Sequence, residues 1–170
     1  MKTAITAFVL TAAAAAAFAA GDAKLDSADK AFIEKAAAGG MLEVQWGNLA
    51  ETKAQDAEVK TFASKLVKDH SAANDELKTL AQSKGVTLPT SLPKHEQGKV
   101  DKLNKEKNFD KEFIEENVED HKKDVKDFEK ASKSAKDPDV KAFAAKTLPT
   151  LQAHLQQAEA LQKSLKGKKS

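Results

Sequence analysis

The 170-residue chain contains no cysteine, no tyrosine and no arginine; all 28 of its basic residues are lysine. Without thiols there is no disulfide framework, no thiolate metal site, no cysteine nucleophile and no lipid-modified N-terminal cysteine. Without arginine the chain lacks the planar fork that reads guanine edges and clamps phosphates in bidentate fashion. That argues against sequence-specific nucleic-acid recognition. Glycine-rich phosphate loops, a His-Glu-x-x-His helix and a serine at a strand-to-helix elbow are missing as well, so no nucleophile or P-loop constellation emerges.

What is present divides at residue 20. Sixteen of the first 20 residues are hydrophobic, whereas the remaining 150 contain only 32 large apolar side chains and 21 alanines. The expected core is therefore narrow. Beyond residue 20, 27 lysines face 26 acids, a formal net charge of +1, so self-repulsion does not oppose folding. The interspersed lysines, including Lys122-Lys123 and Lys168-Lys169, read as a solvated face rather than a polyanion-binding patch.

Lys2 is followed by an uncharged stretch that closes on Ala17-Phe18-Ala19. This is the pattern of a secretory signal, with cleavage expected after Ala19 or Ala20. Residues 1–20 are assigned to the signal and 21–170 to one domain. A retained membrane anchor is the competing reading, weakened by the alanine content and the processing signature. The mature protein is expected in a bacterial periplasm or outside the cell, with no nucleic-acid partner and no stable membrane span; the oxidising setting makes the missing cysteines notable.

From Leu25 onward apolar residues recur at spacings of four and three, the period of amphipathic helices. The first segment spans about 27–52, with Ser27 as the expected N-cap and a seam of Phe32, Ala36, Gly39, Trp46 and Ala50. A second, at about 56–84, carries Val59, Ala63, Leu66, Ala73, Leu77 and Leu80, and Gly85 is its expected left-handed stop. The third runs over about 110–136 from an expected cap at Asp110, with Ile114, Val118, Val125, Phe128, Ser132 and Ala135. The fourth opens on Asp137-Pro138 and carries Val140, Ala144, Thr147, Leu151, Ala158, Leu161 and Leu165. Residues 166–170 read as a frayed basic tail. Short links within each pair and about 25 residues between the pairs, with a short helix expected near 94–105, predict an all-α, ferritin-like four-helix bundle with one long crossover between helices two and three.

Each seam is interrupted once by an ionisable residue: Glu43, His70, His121 and His154. Counting from the hairpin turns puts His121 and His154 almost level, and leaves Glu43 and His70 offset by about four or five residues, some 6–7 Å. Three imidazoles and a carboxylate converging in a core suit a divalent metal such as zinc, iron, manganese or copper. The competing reading is a hydrogen-bonded polar cluster that fixes helix register, since a buried charge must be paired. Val67, Val118 and Leu151 stand three residues before the histidines, so no Glu-x-x-His motif exists and a carboxylate-rich di-iron oxidase site is disfavoured. Asp69, Glu119 and Asp120 flank the seam histidines as possible acceptors from their ring N–H groups. Gly39-Gly40 permits a close approach, Pro149 removes the bond to the Ala145 carbonyl one turn before His154, and Trp46 reads as core.

Residues 32–50, 59–80, Phe109-Asp110, Asp120-His121 and 140–155 resemble the bacterial domain-of-unknown-function family DUF4142. Its Gly-Gly-x-x-Glu, Asp-His, Leu-Pro and late His elements fall on Gly39, Gly40, Glu43, Asp69, His70, Leu148, Pro149 and His154. The resemblance implies an exported, ferritin-like four-helix protein, often labelled outer-membrane or secreted, and supplies no activity. The resulting expectation is a bundle without established enzymatic activity that binds a metal in its core. An envelope interaction or stress-response protein with a purely structural cluster is the alternative, and a metal-dependent oxidoreductase ranks behind both.

Overall fold

The computed structural model describes residues 25–167, in which every regular element is a helix: α1 (Ser27–Lys53), α2 (Ala57–Ser83), α3 (Lys94–Asn104), α4 (Phe109–Ser134) and α5 (Pro138–Gly167). The expected export signal lies outside the described residues. The helix of the crossover is α3, and α5 continues through Gly167, so the expected fraying is not seen up to that point.

Local chemistry sets the boundaries. Asp26, not Ser27, caps α1, its carboxylate accepting from the Ala28 N–H at 2.9 Å; a carboxylate also complements the positive end of the helix dipole. Asp56 caps α2 through the Glu58 and Val59 N–H groups. That helix ends as expected at Gly85, whose φ of 66° lets the Val86 N–H reach the Ala81 carbonyl at 2.8 Å and the Gly85 N–H reach that of Gln82. Asp137 accepts from Asp139 and Val140, with Pro138 in the first turn where its missing N–H costs nothing.

Asp110 is not the cap of α4, which already begins at Phe109. Its carboxylate instead accepts from the Gln55 and Asp56 N–H groups at 3.0 and 2.7 Å, at the turn of the first hairpin. Asp29 does the same at the turn of the second, accepting from Lys136 and Asp137 at 3.0 and 2.7 Å. Each hairpin turn is thus pinned by an aspartate near the start of the other hairpin.

The main helix pairs are α1 with α2 and α4 with α5; the two hairpins then meet through α1 with α4 and α2 with α5. Contacts run in opposite order along every pair. Gly40 meets Asn74 and Gly47 meets Val67; Phe32 meets Phe128 and Glu43 meets His121; Lys146 meets Glu76 and His154 meets Asp69. Consequently α2 and α4 run the same way, which is why a connector of 25 residues carrying α3 is needed between them.

The core is split in two. One cluster, at the end holding the turn of residues 54–56, includes Trp46, Phe62, Leu66, Phe113 and Ile114; the other, at the opposite end, includes Ile33, Leu77, Phe128, Phe143 and Leu151. Between them lies the layer of Glu43, His70, His121 and His154. The seams of α2, α4 and α5 fall largely where expected, but the first half of α1 is rotated by one residue: Ile33, Ala37 and Gly40 are buried, whereas Phe32, Ala36 and Gly39 are half-exposed. Phe32 still packs edge-on against Phe128, with ring centroids 4.9 Å apart.

Candidate metal centre

His70, His121 and His154 come from α2, α4 and α5, and each stands at an inward position of its seam. Their ring centroids form a near-equilateral triangle with sides of 5.3 to 5.5 Å, and one nitrogen of each lies within 4.8 Å of the other two. Phe62, edge-on to His154 at 6.3 Å, belongs to the cluster on one side of the triangle. The register of α1 on α2 removes the expected offset: with Gly40 facing Asn74 and Gly47 facing Val67, Glu43 stands level with His70. The hairpin pivots near the start of α2, not at Ala54.

Hydrogen bonds fix the state of two rings. His121 Nδ1 lies 3.0 Å from the Asn117 carbonyl, which can only accept, so Nδ1 carries the proton. His154 Nε2 donates to Asp69 Oδ2 at 2.9 Å, and the same oxygen accepts from Lys65 Nζ at 2.7 Å. Burial works to raise the Asp69 pKa, but the bonds from Lys65 and His154 outweigh it and keep the carboxyl below its ordinary range. The remaining nitrogens, His121 Nε2 and His154 Nδ1, therefore face each other as lone pairs only 3.3 Å apart. His70 Nε2 is buried without a hydrogen-bond partner.

A pair of lone pairs at that distance calls for a cation between them. Protons are disfavoured: burial pushes His121 down to about 3, helped by the neighbouring His154, and lowers His70 well below and His154 below the ordinary imidazole range. A metal fits the spacing. With metal–nitrogen bonds of about 2.0–2.1 Å, two donors on a tetrahedral ion stand about 3.3 Å apart, and His70 would close by about 1.5 Å at most to join them. The outward N–H of each oriented ring is held by a carboxylate or a carbonyl, the arrangement that sets tautomer and direction in metal-bound histidines.

Glu43 occupies a different place from the one its spacing suggested. It is fully buried, but its Oε1 stands 3.6 Å from His121 Nδ1, the nitrogen turned toward Asn117, and it is outside the group of donors within 4.8 Å of one another. Neither oxygen has a hydrogen-bond partner. Burial first, then the charges of Asp120 and Asp124, raise its pKa well above the ordinary range, with Lys99 opposing.

Of the flanking acids, Asp69 reaches the cluster, Asp120 pairs instead with Lys99 at 3.7 Å, and exposed Glu119 pairs with Lys122 at 3.1 Å. Three participants had no distinct sequence signal: Asn117, Asn74 and Asp124. Asn117 precedes His121 by one turn, and a polar residue beside a seam histidine is its only trace. Asp124 is held up to about 7 by burial, Asp120 and Asp127. Trp46 is buried as expected, beneath Lys99, whose Nζ is 5.9 Å from the ring centroid.

Over the described residues, fold and site together define an all-helical protein with three convergent histidines buried in its core. The chain belongs to the domain of unknown function family DUF4142, whose profile matches residues 13–161. No curated protein matches the sequence significantly. Among solved structures, the chain is similar in fold to a DUF305 fragment from Deinococcus radiodurans, at 12% identity and a TM-score of 0.70 over 82% of this chain and 98% of that one. It is likewise similar to CopM in its Cu(I)-bound form, at 21% identity and a TM-score of 0.69 over 81% and 96%. The Cu(II)-bound form of CopM aligns at 19% identity and a TM-score of 0.65 over 81% and 97%. No helix among the described residues is long and apolar enough to cross a membrane.

Proposed function

We propose that the protein is a metal-binding bundle of the ferritin-like type, exported after removal of residues 1–20, that holds one transition-metal ion through His70, His121 and His154. The observation that carries this reading is the 3.3 Å approach of two imidazole nitrogens whose opposite nitrogens are both committed as donors. Glu43, whose burial holds its proton in the absence of an ion, stands beside His121 where it can ionise as the cation arrives and offset its charge, rather than serving as a fourth donor. Asp69 and the Asn117 carbonyl aim the rings. A self-sufficient polar cluster would satisfy its own hydrogen bonds, whereas both Glu43 oxygens and His70 Nε2 remain without partners. Three neutral nitrogens without a thiolate suit copper or zinc, and the copper-bound forms of the similarly folded CopM favour copper as the first ion to try. Among the described residues, the cavity that His70 lines measures only about 20 Å3, the size of a water molecule or a bare ion, so binding, not turnover, is the proposed role.

The test is metal content of untagged protein stripped with chelator and reloaded with copper or zinc. About one equivalent is expected, lost in His121→Ala. Less than about 0.2 equivalents of either metal, unchanged by His121→Ala, sinks the proposal.

A further inference from the structure

The histidine triangle is closed on the Phe62 side but borders a small cavity of about 20 Å3 on the other. Volume of that order holds a single water molecule or a bare ion. Buried His70, with its unpartnered Nε2, lines the cavity, and so do half-exposed Asn74, Asp124 and Thr147. The cavity therefore joins His70, one corner of the triangle, to the edge of the bundle.

The edge is shaped by the two glycines of α1. A Cβ on Gly40 would stand 2.0 Å from Asn74 Oδ1, so the amide of α2 occupies the place of the missing side chain. A Cβ on Gly39 would meet Asp124 Oδ2 at 3.7 Å, which places that carboxylate of α4 along the neighbouring glycine. Asp124 is also the odd member of an acidic stripe on α4. Asp120 pairs with Lys99 and Asp127 with Lys35, but Asp124 between them has no hydrogen bond or ion pair among the described residues.

We infer that this cavity is the route by which the ion reaches the histidines, with Asp124 and Asn74 as the oxygen donors that meet it at the mouth and His70 as the first nitrogen to receive it. The inference rests on the metal-binding reading and assigns an exchange site to it. A transient oxygen site lowers the barrier for arrival and departure alike. Residues of the mouth therefore govern rates, whereas the triangle governs affinity. Carboxylates in a low-dielectric cleft raise the local concentration of a cation and its on-rate by roughly 10-fold to 1000-fold.

Trp46, the single tryptophan, lies one turn beyond Glu43 and reports Cu(II) arrival by quenching of its fluorescence. In stopped-flow mixing of the untagged apo protein with Cu(II), Asp124→Asn is expected to slow association and dissociation each by about tenfold, leaving the Kd from chelator competition within twofold. Ala73→Leu, which fills the cavity, should slow both further, and Glu76→Gln on the outside of α2 should change neither. Wild-type rates in Asp124→Asn and Ala73→Leu, or a change in Kd with association untouched, overturn the route while leaving the histidine site standing. Absence of any saturable quenching that His121→Ala abolishes overturns the metal reading and this inference together. Asp124→Asn is isosteric and removes a charge set close to those of Asp120 and Asp127, so the variant is expected to fold.

Discussion

The two ends of the core are built differently. On the side of the 54–56 turn, the rings of Trp46, Phe62 and Phe113 are sealed from solvent together with Leu42, Leu66, Ile114 and Val59; at the opposite end Ile33, Leu77, Val140 and Leu151 are buried as deeply, but the rings of Phe128 and Phe143 stay 6% and 5% exposed. Alanines fill much of the remainder there, among them Ala37, Ala81, Ala131 and Ala144. A rigid, well-filled end fixes the histidines from one side, and a thinner end leaves the cavity on the other. This division suits a site that must be preorganised and yet reachable.

The largest effect should expose that asymmetry directly. Phe113→Ala is expected to cost about 3–5 kcal/mol in denaturant unfolding, because its aromatic neighbours Phe62 and Phe109 cannot collapse into the void. Phe143→Ala should cost at least about 1 kcal/mol less, since its surroundings already border open space. Equal costs would show that the two ends are packed alike. A second test concerns the acid at the boundary. Asp124 has a folded pKa of about 7 against an ordinary 3.8, so the native state holds its proton more tightly than the unfolded state. Its contribution is intact below about pH 4 and is lost as pH rises toward 7. Asp124→Asn should therefore stabilise the apo protein by about 1–3 kcal/mol at pH 7, at about 1.4 kcal/mol per pKa unit, with the gain vanishing by pH 4. A gain that is flat across this range would mean that the carboxyl is solvated.

At the layer itself, Asp69→Asn leaves an acceptor oxygen but removes the charge that fixes the His154 N–H. Metal affinity should drop by about 10- to 100-fold with little change in the fold. An unaltered affinity would assign the orientation of His154 to packing against Phe62 alone.

How much of this was readable in the sequence follows from the same contrast. The 4-3 spacing located α2, α4 and α5 because large apolar residues alternate there with charges, and it singled out all three histidines as interruptions of an apolar seam. It failed by one residue in α1 where residues 36–38 are all alanine, since a uniform stretch does not say which side turns inward. Ile33 took the buried place and Phe32 the half-exposed one. Glu43 was found as a buried acid, but which imidazole nitrogen it faces was set by side-chain direction, which spacing does not contain. Asn74 and Asp124 sit at seam edges, where polar residues are ordinary; only the neighbouring helix gives them a role.

The smallest effects separate the glycines of α1. Each costs the helix about 1 kcal/mol relative to alanine, so the sign of a Gly→Ala change depends on what the new Cβ meets. At Gly47 it would stand 2.6 Å from Val67 Cγ2 and 3.0 Å from the Ala63 carbonyl, a backbone atom that cannot swing away. Gly47→Ala should therefore be destabilising by about 1–3 kcal/mol as α1 and α2 are forced apart. At Gly39 the nearest atom is Asp124 Oδ2 at 3.7 Å, an ordinary contact, so Gly39→Ala should gain about 0.5–1 kcal/mol. Thermal melts of the two variants, read against the wild type, are expected to move in opposite directions. If Gly39→Ala also melts lower, α4 lies closer to α1 at the mouth than the present spacing allows, and the route beside it is correspondingly narrower.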